Sequence, residues 1–351
     1  MSFKETDIIF LLGAGCSYEV GIPVAIKMVE NIETDLLKND EKWKGHENLY
    51  NYIKSAILYA DGIFGNFNNA FNIEKFVNVL SELEKKERNI VYPFIANWNN
   101  RLIDLAGTDF GNLQTLKDLI TTQLIDWIKV DDYHGKAKYY GKFYDFQKEY
   151  ERPLRVFTLN YDLCFEMLKP TGSSLELGFD ETRTWSSFRF EDPEIAAQIY
   201  LYKLHGSITW KKDKAKGNVL KLSEHPEKEP DLIFGTDTKL QSIDPYLYYV
   251  YSFRKHSLES KLIVIIGYSF SDIYINDLIK QALNNNKSRK IISVAPHFGD
   301  LHIKANIMKK IGVEDKTQVI ALDMTASAFL EGELTVESMS KHIGGDADDI
   351  F

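Results

Sequence analysis

The chain has 351 residues, 44% of them hydrophobic, enough to bury one large core or two ordinary ones and too apolar for a disordered tail. Its formal charge of −9 at pH 7 argues against binding nucleic acid or anionic lipid by bulk electrostatics. Two cysteines, Cys16 and Cys164, exclude a disulfide framework and a four-cysteine zinc site, so no metal is expected and a reducing, cytoplasmic setting fits.

The first apolar run, "DIIFLLGAG", is nearly continuous and ends in glycines, the pattern of a strand buried on both faces of a parallel sheet. It stops too soon for a signal peptide or a membrane span, so a soluble, unexported chain is expected. Between residues 27 and 150 the period becomes helical: Ile73, Phe76, Val77, Leu80 and Leu83 share one stripe, and Leu116, Leu119, Ile120, Leu124, Trp127 and Ile128 another.

Strand-like runs resume at residues 154–160, 199–206, 261–269, 290–296 and 317–323, and several end in small or polar residues, as strand ends facing a ligand crevice do. Helical patterns at residues 271–285 and 299–312 separate the later strands, with Ser271 or Asp272 as a cap of the first and Gly312 closing the second. This alternation predicts an α/β fold: a Rossmann-like, doubly wound parallel sheet with a large all-helical insertion after the first strand-helix unit. The expected domains are a Rossmann part at 1–26 and 151–325, a helical insertion at 27–150, and a C-terminal segment at 326–351 ending in the mobile acidic tail "GGDADDIF".

Four strand ends carry residues able to do chemistry. After the first, Gly13, Ala14 and Gly15 allow close backbone approach, Ser17 can cap, and the following helix can offer N–H groups to an anion. The pattern departs from G-x-G-x-x-G, since Gly15 is followed by Gly21, and ordinary turn packing explains the glycines as well. Asn160 and Asp162 follow the second strand in a turn before an expected helix, which either of them can simply start. His205 and Gly206 end the next, placing an imidazole, the side chain suited to general-base work at neutral pH, beside a residue that leaves room for substrate. Gly267 and Ser269 can hold a ribose or phosphate, or lead into a capped helix.

Taken in order, these elements resemble the sirtuin (SIR2-like) family. Its nucleotide loop is matched by Gly13, Ala14, Gly15, Ser17, Gly21, Ile22 and Pro23, its Asn-x-Asp element by Asn160 and Asp162, its HG by His205 and Gly206, its G-x-S by Gly267 and Ser269, and its segment after the small-domain hairpin by "PDLIFG", ending at Phe234 and Gly235. The paired cysteines of the deacylases' zinc ribbon are missing between residues 207 and 230, and Val24, Ala25 and Ile26 replace the family's usual Asp, Phe and Arg after GIP.

The resemblance therefore implies the zinc-less bacterial antiphage-defence branch, which hydrolyses NAD, and implies abortive infection by NAD depletion. It implies catalytic roles for Asn160 and His205, with Gly13, Ala14, Gly15, Ser17, Pro23, Asp162, Gly267 and Ser269 binding NAD. It further implies a homo-oligomer and pairing with a HerA-type DNA translocase ATPase, with no direct nucleic-acid or membrane binding. A zinc-free NAD-dependent protein deacylase and a non-catalytic nucleotide-binding regulator of such an ATPase are the competing readings. Cys16 reads as a packing residue, the lysine-rich residues 210–221 as an exposed hairpin, and the aromatic residues 244–253 as a helix packed on the sheet or an oligomer contact.

Overall fold

The structure, a computed structural model, describes residues 4–65, 71–85, 100–107, 109–213, 219–234, 244–297 and 299–343. Gly235, the lysine-rich hairpin tip around Gly217 and the acidic tail lie outside the described residues. The chain divides into two compact units, one of Met1–Ile22, Val130–Leu232 and Gln241–Phe351, the other of Pro23–Lys129 and Ile233–Leu240.

The first unit is built on β1 (Ile8–Leu12), β2 (Leu154–Thr158), β3 (Leu175–Glu176), β4 (Ile199–Lys203), β7 (Leu262–Ile266), β8 (Lys290–Val294) and β9 (Val319–Leu322), in the order β3-β4-β2-β1-β7-β8-β9. Every pairing is parallel. The uniformly apolar IIFLL of β1 and LIVII of β7 are buried at every position, which a sheet covered on both faces requires. The doubly wound α/β sheet expected from the alternation is thus observed. The two further strands, β5 (Trp210–Asp213) and β6 (Val219–Leu222), pair antiparallel as the expected hairpin.

Helix α1 (Lys142–Tyr150) belongs to this unit for a packing reason. Its Phe143 and Phe146, three residues apart on one helical face, meet Phe10 of β1 edge to face, with ring centres 5.3 and 5.8 Å from its own. The aromatic run forms α2 (Tyr246–Glu259), which buries Tyr246, Tyr249 and Phe253, and Phe253 meets Phe157 of β2 at 5.1 Å. Asp272 caps α3 (Ile273–Asn285) by accepting from the N–H groups of Tyr274 and Ile275, and Gly312, at φ 75°, closes α4 (Ile303–Ile311).

The second unit is helical in its described residues, with Ala25–Asn31, Glu47–Ile63, Ile73–Glu84, Asn100–Ala106 and Gly111–Ile128. The stripe residues Ile73, Phe76, Val77 and Leu80 are buried, as are Leu116, Ile120, Leu124 and Ile128. Tyr50 and Phe76 set the centre of this core, their rings 4.7 Å apart. No described helix is long and apolar enough to cross a membrane.

Candidate functional site

Strand β1 lies between β2 and β7: the chain leaves β1 toward one edge of the sheet and returns through β7 to the other. Such a reversal opens a crevice outside the C-terminal strand ends, where open α/β sheets bind ligands. The C-terminal ends of β4, β2, β1 and β7 are consecutive there, and they carry His205, then Asn160 and Asp162, then Gly13 to Ser17, then Gly267 and Ser269.

The glycines answer first to loop packing. Gly15 donates its N–H to the Gly267 carbonyl at 2.8 Å, and Gly13 donates to Ile266 at 2.9 Å. A Cβ on Gly13 would lie 2.7 Å from the Gly267 oxygen, and one on Gly15 2.8 Å from Gly267 Cα. Gly267 itself has φ +67°, and a Cβ there would meet Cys16 N at 2.1 Å. The loop then enters a short 3₁₀ turn, Ala14–Val20, closed by Gly21 at φ 102°. The expectation that Ser17 caps a helix is corrected: no side chain caps this turn.

Ser17 is instead the hub of a buried network. Its Oγ donates to Asp162 Oδ2 at 2.7 Å, accepts from Asn160 Nδ2 at 3.1 Å, and lies 2.7 Å from the Tyr140 hydroxyl. A carboxylate only accepts, so the single Ser17 proton goes to Asp162 and Tyr140 must donate. Burial holds the Tyr140 phenol protonated by pushing its pKa well above the ordinary range, in keeping with that direction. Asn160 also donates to the Gly13 carbonyl at 3.0 Å, and Asp162 Oδ1 accepts from Cys164 N at 3.0 Å. Both Nδ2 protons of Asn160 are therefore spent on the glycine loop. No described hydrogen bond reaches its Oδ1, the one side-chain acceptor it can still offer.

His205, 7% exposed, faces Asp272 across the sheet, its Nε2 3.5 Å from Oδ2. The Tyr161 ring lies 6.4 Å from the imidazole. Gly206, at φ +92°, does not leave room for substrate as expected: a Cβ there would meet the Asp231 carbonyl at 2.3 Å and the Tyr246 hydroxyl at 2.9 Å. Ser269 is exposed; its Oγ donates to Ser271 Oγ at 3.0 Å, and its carbonyl accepts from Lys310 at 2.7 Å. Ala14 is exposed on the loop, whereas Pro23 belongs to the second unit.

Burial pushes the Cys16 thiol up to about 12, which leaves it inert as a nucleophile and suits a packing residue. Among the described residues no group of three or more His, Cys, Asp or Glu side chains is placed to hold a metal. A surface cleft of about 900 Å³ lies by the hairpin; its Lys211, Lys212 and Arg183 pair with Glu227, Asp231 and Glu224.

Residues 154–315 match the family model described as a SIR2-like domain. The SIR2-like span contains Asn160, Asp162, His205, Gly267, Ser269 and Asp272, and starts after the glycine loop. Solved structures similar to the chain include a mutant Sir2 homologue in complex with 2′-O-acetyl ADP ribose, 13% identical, covering 95% of this chain and 92% of that one with a TM-score of 0.43. Another is a Sir2 homologue in complex with NAD, 12% identical, covering 95% and 90% with a TM-score of 0.42. No curated relative matches.

In the sequence Asp272 is legible only as a cap, and Tyr140 not at all. A carboxylate just after a glycine-ended strand was the available signal for Asp272; Tyr140 carried none, since it sits among helical periodicities.

Proposed function

We propose that the chain is an NAD glycohydrolase that cleaves the nicotinamide–ribose bond of NAD to nicotinamide and ADP-ribose. The observation that carries this reading is the convergence of four motifs on four consecutive strand ends, where no described hydrogen bond reaches Asn160 Oδ1 and His205 Nε2 lies 3.5 Å from the Asp272 carboxylate. The SIR2-like match over residues 154–315 supports it.

Breaking the bond builds oxocarbenium character on the ribose, as in glycoside hydrolysis, while nicotinamide leaves as a neutral ring and needs little acid help. Asn160 Oδ1 accepts a hydrogen bond from one O–H of the attacking water, which keeps that proton, and orients it. With His205 Nε2–H directed at Asp272, Nδ1 carries the lone pair and takes the other proton as the water oxygen bonds to the ribose carbon. The Gly13 to Ser17 loop receives the pyrophosphate, Gly267 and Ser269 the adenosine side. Asp162 holds that loop through Ser17 and keeps lone pairs for a ribose hydroxyl or the carboxamide.

In the cell we assign this activity to antiphage defence by NAD depletion, in the cytoplasm, as a homo-oligomer acting with a HerA-type ATPase; the resemblance alone supports that assignment. The SIR2-like match suits a zinc-free deacylase as well. Chromatography of NAD incubated with the protein separates the readings: nicotinamide and ADP-ribose without any peptide support the hydrolase. Release that requires an acylated peptide supports the deacylase, and binding without turnover, alone or with the ATPase, supports the regulator.

A further inference from the structure

The last residue of β4, Lys203, is 1% exposed. Its three protons go to three acceptors: the Asp162 carbonyl, Glu166 Oε1 at 2.7 Å and Ser207 Oγ at 3.0 Å. Asp162 belongs to the turn after β2, which carries Asn160, and Glu166 to the short helix Cys164–Met167 that the turn leads into; Ser207 belongs to the turn after β4, which carries His205. One side chain thus ties together the two turns that hold the acceptor atoms of the site.

A leucine would fill this space without the cost of burying a charge, and a buried ion pair is seldom more stabilising than apolar residues of equal volume. Burial pushes the Glu166 carboxyl up while Lys203 draws it down, so the pair pays for its own desolvation only in part. What an ammonium supplies and leucine cannot is a directional three-way link. We infer that Lys203 is a positioning residue: through Asp162, Glu166 and Ser207 it holds the Asn160 turn and the His205 turn in one fixed frame.

The inference deepens the hydrolase reading and relies on it for the meaning of turnover. Lys203→Met alone would strand the Glu166 charge, so the test uses Ser207→Ala, which cuts the link on the β4 side, and the double variant K203M/E166L, which replaces the pair by apolar volume. In the full-length protein with NAD, both are expected to keep the parent melting temperature within a few degrees and KM within about twofold, and to lose about 10-fold or more in kcat, since small misplacements of reacting groups are costly. The imidazole resonance of His205 in histidine-labelled protein, identified by its loss in His205→Gln, is expected to shift or broaden. Should the double variant not fold, Ser207→Ala decides. Parent-like kcat with an unchanged resonance overturns the positioning role. A parent that consumes no NAD overturns the hydrolase reading instead, and the resonance then decides the positioning role alone.

Discussion

His205 Nε2 and Asp272 Oδ2 face each other at 3.5 Å from the ends of β4 and β7, strands separated in the sheet by β2 and β1. The same carboxylate caps α3 through its other oxygen, Oδ1. One group therefore starts a helix with one oxygen and presents the other to the imidazole Nε2.

The two duties of Asp272 come apart under substitution. Asparagine is an equally good cap, so Asp272→Asn should melt close to the parent yet lose about 10²-fold or more in kcat, within the range a positioned general base supplies. Asp272→Ala should show the same kinetic loss and about 1 kcal/mol of destabilisation for the missing cap. Thermal melts and NAD turnover of both variants check this.

On the hydrolase reading proposed above, His205→Ala removes the proton acceptor and should lower kcat by about 10²–10⁴-fold with NAD affinity retained. Calorimetric titration with NAD beside a turnover assay distinguishes this from misfolding, and an active His205→Ala would sink the assignment.

Ser17→Ala takes away the hydroxyl shared by Asn160, Asp162 and Tyr140. Buried partners left unsatisfied cost about 1–3 kcal/mol, so a lower denaturation midpoint is expected together with weaker NAD binding, because the glycine loop loses its tether. Gly267→Ala should be worse, since its φ of +67° disfavours a side chain and the added Cβ has Cys16 N at 2.1 Å.

Acid should unfold this protein partly through His256. Burial, with Arg155 and Lys255 adding to it, lowers the His256 pKa to about 3, although Glu259 Oε2 sits 3.3 Å from Nδ1 and favours the charged ring. The unfolded chain therefore binds a proton from about pH 6.5 downward that the folded chain refuses. This share of stability is fully present above that pH and is lost progressively as pH falls toward 3. Melting temperatures measured from pH 7 to 4.5 should fall less steeply in His256→Phe than in the parent.

The strand ends were legible in the sequence because each is a continuous apolar run broken by a small or polar residue, and the sheet places the resembling motifs side by side. The reasons for individual residues were less so. Gly15 read as space for a ligand, but the Gly267 backbone, some 250 residues away in sequence, occupies that space, and local patterns carry no trace of a loop from a distant strand pressing in. Gly206 likewise serves the Asp231 carbonyl and Tyr246. Tyr140 lay within what periodicity made a helical block, and α1, just after it, joins the sheet through aromatic packing on Phe10. Lys203 closes a strand that is otherwise apolar, and its three acceptors are separated from it by up to 41 positions.

The most direct test of the hydrolase reading is the time course of nicotinamide release from NAD by the purified protein, in parallel with His205→Ala. The account predicts nicotinamide and ADP-ribose in equal amounts from the parent without any acylated peptide, and near absence from the variant. Release at the same rate from folded His205→Ala, or release only when an acylated peptide is added, would contradict it.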